Sequence, residues 1–389
     1  MRSITLKIDD VLMKMIMLTP IAMLLQGRID SVNKILVGGI LVFLVFAILR
    51  DGNIRIKTFV NIFVAMVVFL YSLLGITKIY FTINMLFYFP LWTFYLSYAI
   101  DSHQKMIEAF KANEKFATKV IWLWIILIGI SSVLPNSYTD GEFHSFANGN
   151  FRFAPTVFFM AAFIWAYAGA FKKKKYMLFM LVPFAAMIAT GSRTYTIIFL
   201  VLVALAFYNY FEKKRYFVLL MIPCVLLVVN VLSGSAFIEK FIRSANNQYV
   251  SDPLAAITSN RSVFWVKELE MFFKASIREK LLGGGLTASY VKNVKISGQA
   301  IWAHNDFLEA LNAHGLIGLI IYIKLFVDAF RKFKWEYRYT LIQGTVFVLC
   351  WVLNAFFNGL YVYTTAMLAI PFLAYAVTVD FSKIKIDKE

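Results

Sequence analysis

The sequence predicts an all-α integral membrane protein of about twelve transmembrane helices with one long, partly helical outer loop. Three observations lead there. Of the 389 residues, 60% are hydrophobic, and mean hydropathy is +0.71, whereas soluble domains are about half apolar. The apolar residues fall in blocks of about 16 to 22, the length that crosses a hydrocarbon core about 30 Å thick at about 1.5 Å per helical residue. The Lys and Arg residues behind the formal charge of +17 sit mostly between those blocks.

The expected spans are 11–26, 34–49, 58–76, 79–100, 119–134, 154–171, 176–190, 194–211, 216–233, 314–330, 340–358 and 361–379. The first is followed by a polar loop and not by a small-residue cleavage site, so no cleavable signal peptide is expected. One set of loops carries the basic clusters: "RDGNIRIK" (50–57), the 101–119 segment, "KKKK" (172–175), "EKKR" (212–215), "RKFKWEYR" (331–338) and both termini. The short loops of the other set carry only Arg28, Lys34, Lys78, Arg152 and Arg193. The positive-inside rule makes the first set, with both termini, cytoplasmic, and twelve spans satisfy that parity. The charge therefore reads as orientation, and no nucleic-acid partner is expected. Cys224 and Cys350 lie inside apolar blocks and read as small core residues.

The chain divides into spans one to nine (1–233), a long outer loop (234–313) and spans ten to twelve with a cytoplasmic tail (314–389). A loop that long is functional or disordered. Helical periodicity in "VFWVKELEMFFKASIREK" argues for a folded one, with Trp265, Leu269, Phe272, Phe273 and Ser276 on one face. Such a helix would lie on the membrane surface or cap the bundle. "GGG" (283–285) then allows a tight turn. A smaller outer loop spans 135–153.

Candidate chemistry gathers on the outer side. Arg193, in "ATGSRTYTIIF", sits between two apolar blocks. A guanidinium at that depth is costly. It either snorkels to the interface or binds an anion, and its fork suits phosphate oxygens. Arg261 precedes the amphipathic helix, and Arg152 opens span six; each is an anion ligand or an ordinary loop or interfacial arginine. Lys292 and Lys295 read as a solvated face. "WAHNDFLEALNAHGLIG" (302–318) places His304 and Asn305 at the polar start of a helix. Neutral imidazole can take a proton near neutral pH. Asp306 reads as a first-turn capping carboxylate, and His314 as an interfacial residue. The sequence assigns no role to His144. Lys324 and Asp328, four apart, read as a local pair. No P-loop, H-E-x-x-H, Cys cluster or outer D-x-D pair is present, so nothing signals nucleotide or metal binding. A coupled transporter would show mid-membrane charge and inverted repeats; neither is clear.

"TGSRTYTIIF", "SNRSVFW…LLGGGL" and "WAHNDFLEALNAHGLIGLIIYI", in that order, resemble the O-antigen ligase and O-antigen polymerase superfamily over roughly Thr190 to Ile323. The resemblance implies a glycosyltransferase of the bacterial inner membrane, acting on its outer face without metal, nucleotide or other cofactor. The implied donor is a glycan on undecaprenyl diphosphate. The implied acceptor is another glycan for a polymerase and lipid A core for a ligase. Membrane lipids and a chain-length regulator complete the implied partners. Residue by residue, the resemblance implies that Arg193 and Arg261, with Arg152 near them, hold the donor diphosphate. It implies that His304, with Asn305 beside it, serves the acceptor hydroxyl. The wording "HNDFLE" and the compact chain favour polymerase. A lipid-linked-sugar flippase or transporter would also want outer arginines, and a non-catalytic scaffold would need none of these residues.

Overall fold

The structure is a computed structural model that describes residues 2–51, 56–139, 141–147, 149–211, 213–219, 221–222, 261–337 and 350–375. Its helices, in chain order, begin with α1 (Arg2–Met17), α2 (Thr19–Leu25), α3 (Asp30–Asp51), α4 (Ile56–Ser72) and α5 (Met85–Asp101). There follow α6 (His103–Ala112), α7 (Glu114–Ser132), α8 (Asn150–Ala170), α9 (Leu181–Ala189) and α10 (Arg193–Tyr210). Beyond them come α11 (Arg261–Lys274), α12 (Ile277–Leu282), α13 (Ala288–Ser297), α14 (Asp306–Tyr337) and α15 (350–357). The strands among the described residues are the antiparallel pair β1 (Tyr138–Thr139) and β2 (Glu142–Phe143) in the small outer loop.

Five described helices are long and apolar enough to cross a membrane: α3, α7, α8, α10 and α14. The chain is a helical membrane protein, but the expectation of twelve regular spans is met only in part. The block 11–26 breaks at Leu18 into α1 and α2, with Pro20 in the first turn of α2, because proline cannot continue a helix from upstream. The block 79–100 becomes helical only at Met85. The block 176–190 is 3-10 over Lys174–Met180 and α-helical only over nine residues. The block 361–379 opens as a 3-10 turn, Thr364–Leu368, and a π turn, Ala369–Leu373. Most of 216–233 and part of 340–358 lie outside the described residues. The tenth block starts earlier than expected, at Asp306, and bends at Gly315 (φ 68°, ψ −167°), a conformation open to glycine alone.

The centre of the bundle is α8. Every residue from Phe153 to Gly169 is buried, as suits a helix that is apolar all round. It packs against α2, α9 and α10. By contrast α3 and α7 expose Ile35, Val42, Phe46 and Leu49, and Trp122, Ile126 and Ile130. Such unbroken apolar faces belong against lipid. Cys350 is buried and unbonded; Cys224 lies outside the described residues. Lys324 does pair with Asp328.

The described part of the long loop is folded, and it differs from expectation in which residues it buries. Trp265 and Phe272 pack on Leu308 and Leu311, but Phe273 is 69% exposed. Glu268, which is not part of that expected face, is fully buried. Lys292, expected on a solvated face, is buried too. The reason is one shared partner on α14: Asn312 donates to Glu268 (2.5 Å) and to Ser289 (3.0 Å) and accepts from Lys292 Nζ (2.8 Å). Burial, helped by the charge of Glu309, pushes the Glu268 carboxyl up to about 8, and burial lowers the Lys292 amine. Lys295 is exposed as expected. The "GGG" turn hydrogen-bonds to Asn312 and Ala313 carbonyls (2.8 and 3.2 Å) and lies against Gly75.

Candidate functional site

Three stretches far apart in sequence meet at one end of the bundle. The first is the α9–α10 junction. Gly191 and Ser192 turn the chain, the Ser192 N–H donates to Thr190 Oγ1 (3.1 Å), and Thr196 Oγ1 donates back to the Ser192 carbonyl (2.5 Å). Arg193 is thereby the first residue of α10 and is 8% exposed. The small outer loop covers this junction: Glu142 on β2 lies over Gly191 and accepts from Asn150 (2.5 Å).

The second is the start of α11. Arg261 Nη1 donates to the Phe357 carbonyl (2.7 Å), at the C-terminal end of α15, where a cation is favoured by the helix dipole. A guanidinium has five N–H donors, so one bond does not exhaust it.

The third is the loop 302–305. His304 holds a left-handed backbone, φ 54°, which a bulky residue rarely adopts and which surrounding structure must enforce. Ala303 supplies that constraint. Its N–H donates to Glu309 Oε1 (2.6 Å), and its carbonyl accepts from Trp265 Nε1 (2.7 Å). The Trp302 ring lies against the imidazole, centroids 4.3 Å apart. Gly359 admits Trp302: a Cβ there would fall 2.5 Å from its ring.

Arg193, Arg261 and His304 line one cavity of about 350 Å³. Asn150, Phe151, Tyr195, Asn358 and Tyr363 complete much of its wall, and no acidic side chain lines it among the described residues. Burial and the Arg261 charge hold the His304 pKa well below the usual imidazole range. His304 is therefore neutral at neutral pH, and a neutral imidazole has one acceptor nitrogen. Burial also lowers the Arg261 pKa, yet guanidinium stays charged at any physiological pH. The cavity thus joins two cations to one neutral base.

Two expected companions stand elsewhere. Asn305 does not line the cavity. Its Oδ1 accepts from the backbone N–H of Phe307 (3.0 Å) and Leu308 (3.1 Å), the N-cap geometry of α14. Arg152 is also absent from the lining; its guanidinium lies 5.4 Å from the ring of Phe151, which does line it. Asp306, read as a cap, is fully buried and reaches across to the turn after α15. It accepts from Leu360 N (2.8 Å), Tyr361 N (3.3 Å) and Tyr322 Oη (2.5 Å). His314, read as interfacial, is buried in the bundle with its ring 4.0 Å from that of Phe89. His144 is built into the small outer loop through Thr139 (2.9 Å) and Ser145 (3.1 Å).

One short turn, 357–361, ties the three stretches together. Phe357 holds Arg261, and Leu360 holds Asp306 at the head of α14. Asn358 Oδ1 accepts from Thr194 Oγ1 (2.5 Å) in the first turn of α10. Sequence reading missed this turn. Its one available signal was "NG" at 358–359, a turn dipeptide.

Residues 178–323 match the family model described as O-antigen ligase. That stretch, under half of the 389-residue chain, is what resembles the O-antigen ligase family. The match takes in Arg193, Arg261 and His304, the same residues that share the cavity. Asn150 and Phe151 on one side of that cavity, and the 357–361 turn on the other, lie outside the matched stretch. A comparison with curated proteins finds no match. That likeness, together with the long apolar helices, supports a membrane enzyme of the O-antigen ligase or polymerase type.

Proposed function

We propose that this protein polymerises undecaprenyl-diphosphate-linked oligosaccharide repeat units into surface polysaccharide on the outer face of the bacterial inner membrane. The observation that carries this reading is the shared cavity of Arg193, Arg261 and His304. The leaving group is a lipid diphosphate. As the glycosidic bond breaks, negative charge grows on its bridging oxygen. Arg193 and Arg261, already fixed in position, stabilise that charge more in the transition state than in the ground state. Neutral His304 takes the proton of the acceptor hydroxyl as that oxygen attacks the anomeric carbon from the opposite face. Attack from that face inverts the anomeric configuration. The basic clusters at 172–175 and 212–215 follow α8 and α10, and that at 331–338 begins in the last turns of α14; by the positive-inside rule this supports a cavity end outside and both termini in the cytoplasm.

The ligase reading stays open for a specific reason: the matching family model is described as a ligase. A gel of surface glycan from cells lacking the protein separates the two. Single-repeat products mean polymerase. Full-length chains stranded on undecaprenyl diphosphate mean ligase. Unchanged glycan contradicts both.

The electrostatics give a second test. Arg261 disfavours the imidazolium form of His304. Removing that cation in Arg261→Gln therefore raises the His304 pKa, and NMR titration of the ring in the full-length protein reads the shift. An unchanged or lowered pKa would mean that the two side chains do not face one another.

A further inference from the structure

We propose that α11 and α12 seat the long outer loop on the outer leaflet of the bilayer, with an apolar stripe at headgroup depth and basic side chains against anionic lipid. The starting observation is that α11 carries a second apolar face. One face packs Trp265 and Phe272 onto α14. The other is a stripe of Val263, Val266 and Phe273 at helical spacing, and all three are exposed. The stripe runs on into α12, where Ile277 is 77% exposed and Leu281 is exposed as well. An uncovered apolar patch of this kind marks contact with a membrane or another protein. Position decides for lipid. α12 packs against α4 and α14. Its Leu281 backbone lies against Gly315 at the bend of α14. Arg278 Nε donates to the hydroxyl of Tyr71, in the last turn of α4, and the guanidinium lies 5.2 Å from that ring. Both neighbours expose apolar faces, through Phe63, Val67 and Leu70 on α4 and through Ile320 and Ile323 on α14. Ile277 and Leu281 continue those faces. This end of the two helices is opposite the basic clusters at 50–57 and 331–338, which makes it the outer end by the positive-inside rule, and tyrosine is a residue of membrane–water interfaces. Charge agrees. Lys267 and Lys274, seven apart on α11, are exposed beside the stripe, and so is Arg278. A helix lying in the interface has this pattern, apolar on one side with basic residues along it. Glu270 is exposed within the stripe, and a carboxylate resists leaving water, so the seat is shallow. Because α11 begins with Arg261, the seat ties the cavity to the headgroup layer.

The test uses the full-length protein in vesicles of phosphatidylcholine, alone or mixed with phosphatidylglycerol. Val266→Cys, Phe273→Cys, Ile277→Cys and Lys295→Cys each carry a nitroxide. All four positions are exposed, so the variants fold. Wild-type protein treated alike gives the signal of the native cysteines, which is subtracted. Collisions of the nitroxide with oxygen report apolar surroundings, and collisions with a water-soluble nickel chelate report water. We expect the oxygen-to-nickel ratio to be several-fold higher at 266, 273 and 277 than at 295. The ratio at 273 rises further in vesicles with phosphatidylglycerol, and Lys267→Gln combined with Lys274→Gln removes that rise. Labels at 273 and 277 as open to nickel as the one at 295 would overturn the seat, since the stripe would then face water. Labels shielded from both reagents would also overturn it, because a protein would cover the stripe. Equal ratios in the two kinds of vesicle would overturn the headgroup contact. None of these readouts depends on glycan transfer, so the seat and the proposed function stand or fall separately.

Discussion

Replacing Arg193 or Arg261 with alanine lowers glycan transfer by about 10²–10³-fold, equivalent to about 2.7–4 kcal/mol of lost transition-state stabilisation. The estimate treats each guanidinium as one preorganised donor aimed at developing charge. The two differ in what else they do. Arg261 also holds the Phe357 carbonyl, so its loss loosens the 357–361 turn and adds a stability defect. The double variant falls short of the product of the single effects, because side chains acting on one group are not additive. Lysine at either position restores only part of the rate, since an ammonium cannot make a bidentate contact with phosphate. Reconstituted protein with lipid-linked repeat units measures all of these. Wild-type rates in both alanine variants would remove the diphosphate assignment.

The second large effect is on stability and comes from Asp306→Ala. The wild-type carboxylate accepts from Leu360 N and Tyr322 Oη, both of buried residues, and from Tyr361 N of a half-buried one. Alanine leaves three donors without an acceptor. Each stranded group costs about 1–3 kcal/mol, and the sum rivals the whole stability of an ordinary domain, about 5–15 kcal/mol. Asp306→Ala is therefore expected to be poorly folded. Asp306→Asn, whose Oδ1 can still accept from Leu360, is expected to melt within a few degrees of wild type. Thermal melts of both in detergent decide the point. A stable Asp306→Ala with normal transfer would show that the turn does not hold the site together.

The membrane class was legible because lipid imposes length and apolarity on a spanning helix, and α3, α7, α8, α10 and α14 obey that rule. Where a span is interrupted, composition does not report it. The block 176–190 is as greasy as its neighbours, yet the chain is 3-10 over Lys174–Met180, where it packs against α8. The three site residues were legible through the order of short motifs. Each has a charge or a ring that is expensive near a membrane, so it draws attention. Asn305 was grouped with His304 because the two are adjacent, and Asp306 was read as a cap of its own helix, but neither side chain's direction can be read from sequence position. Asn305 turns back to cap its own helix, and Asp306 crosses to another. Lys292 was misjudged for a related reason: its partner, Asn312, is 20 residues away. The 357–361 turn carries only its "NG" dipeptide, and its importance comes from contacts that exist only once α10, α11 and α14 are packed together.

The central claim is that this cavity transfers glycan from a lipid diphosphate. It is tested most directly by giving the purified, membrane-reconstituted protein defined lipid-linked repeat units, without ATP. The account predicts longer lipid-linked chains with inverted linkages, and their loss in His304→Ala and Arg193→Ala. Repeat units that stay single while the lipid crosses the bilayer would contradict it and make the protein a transporter.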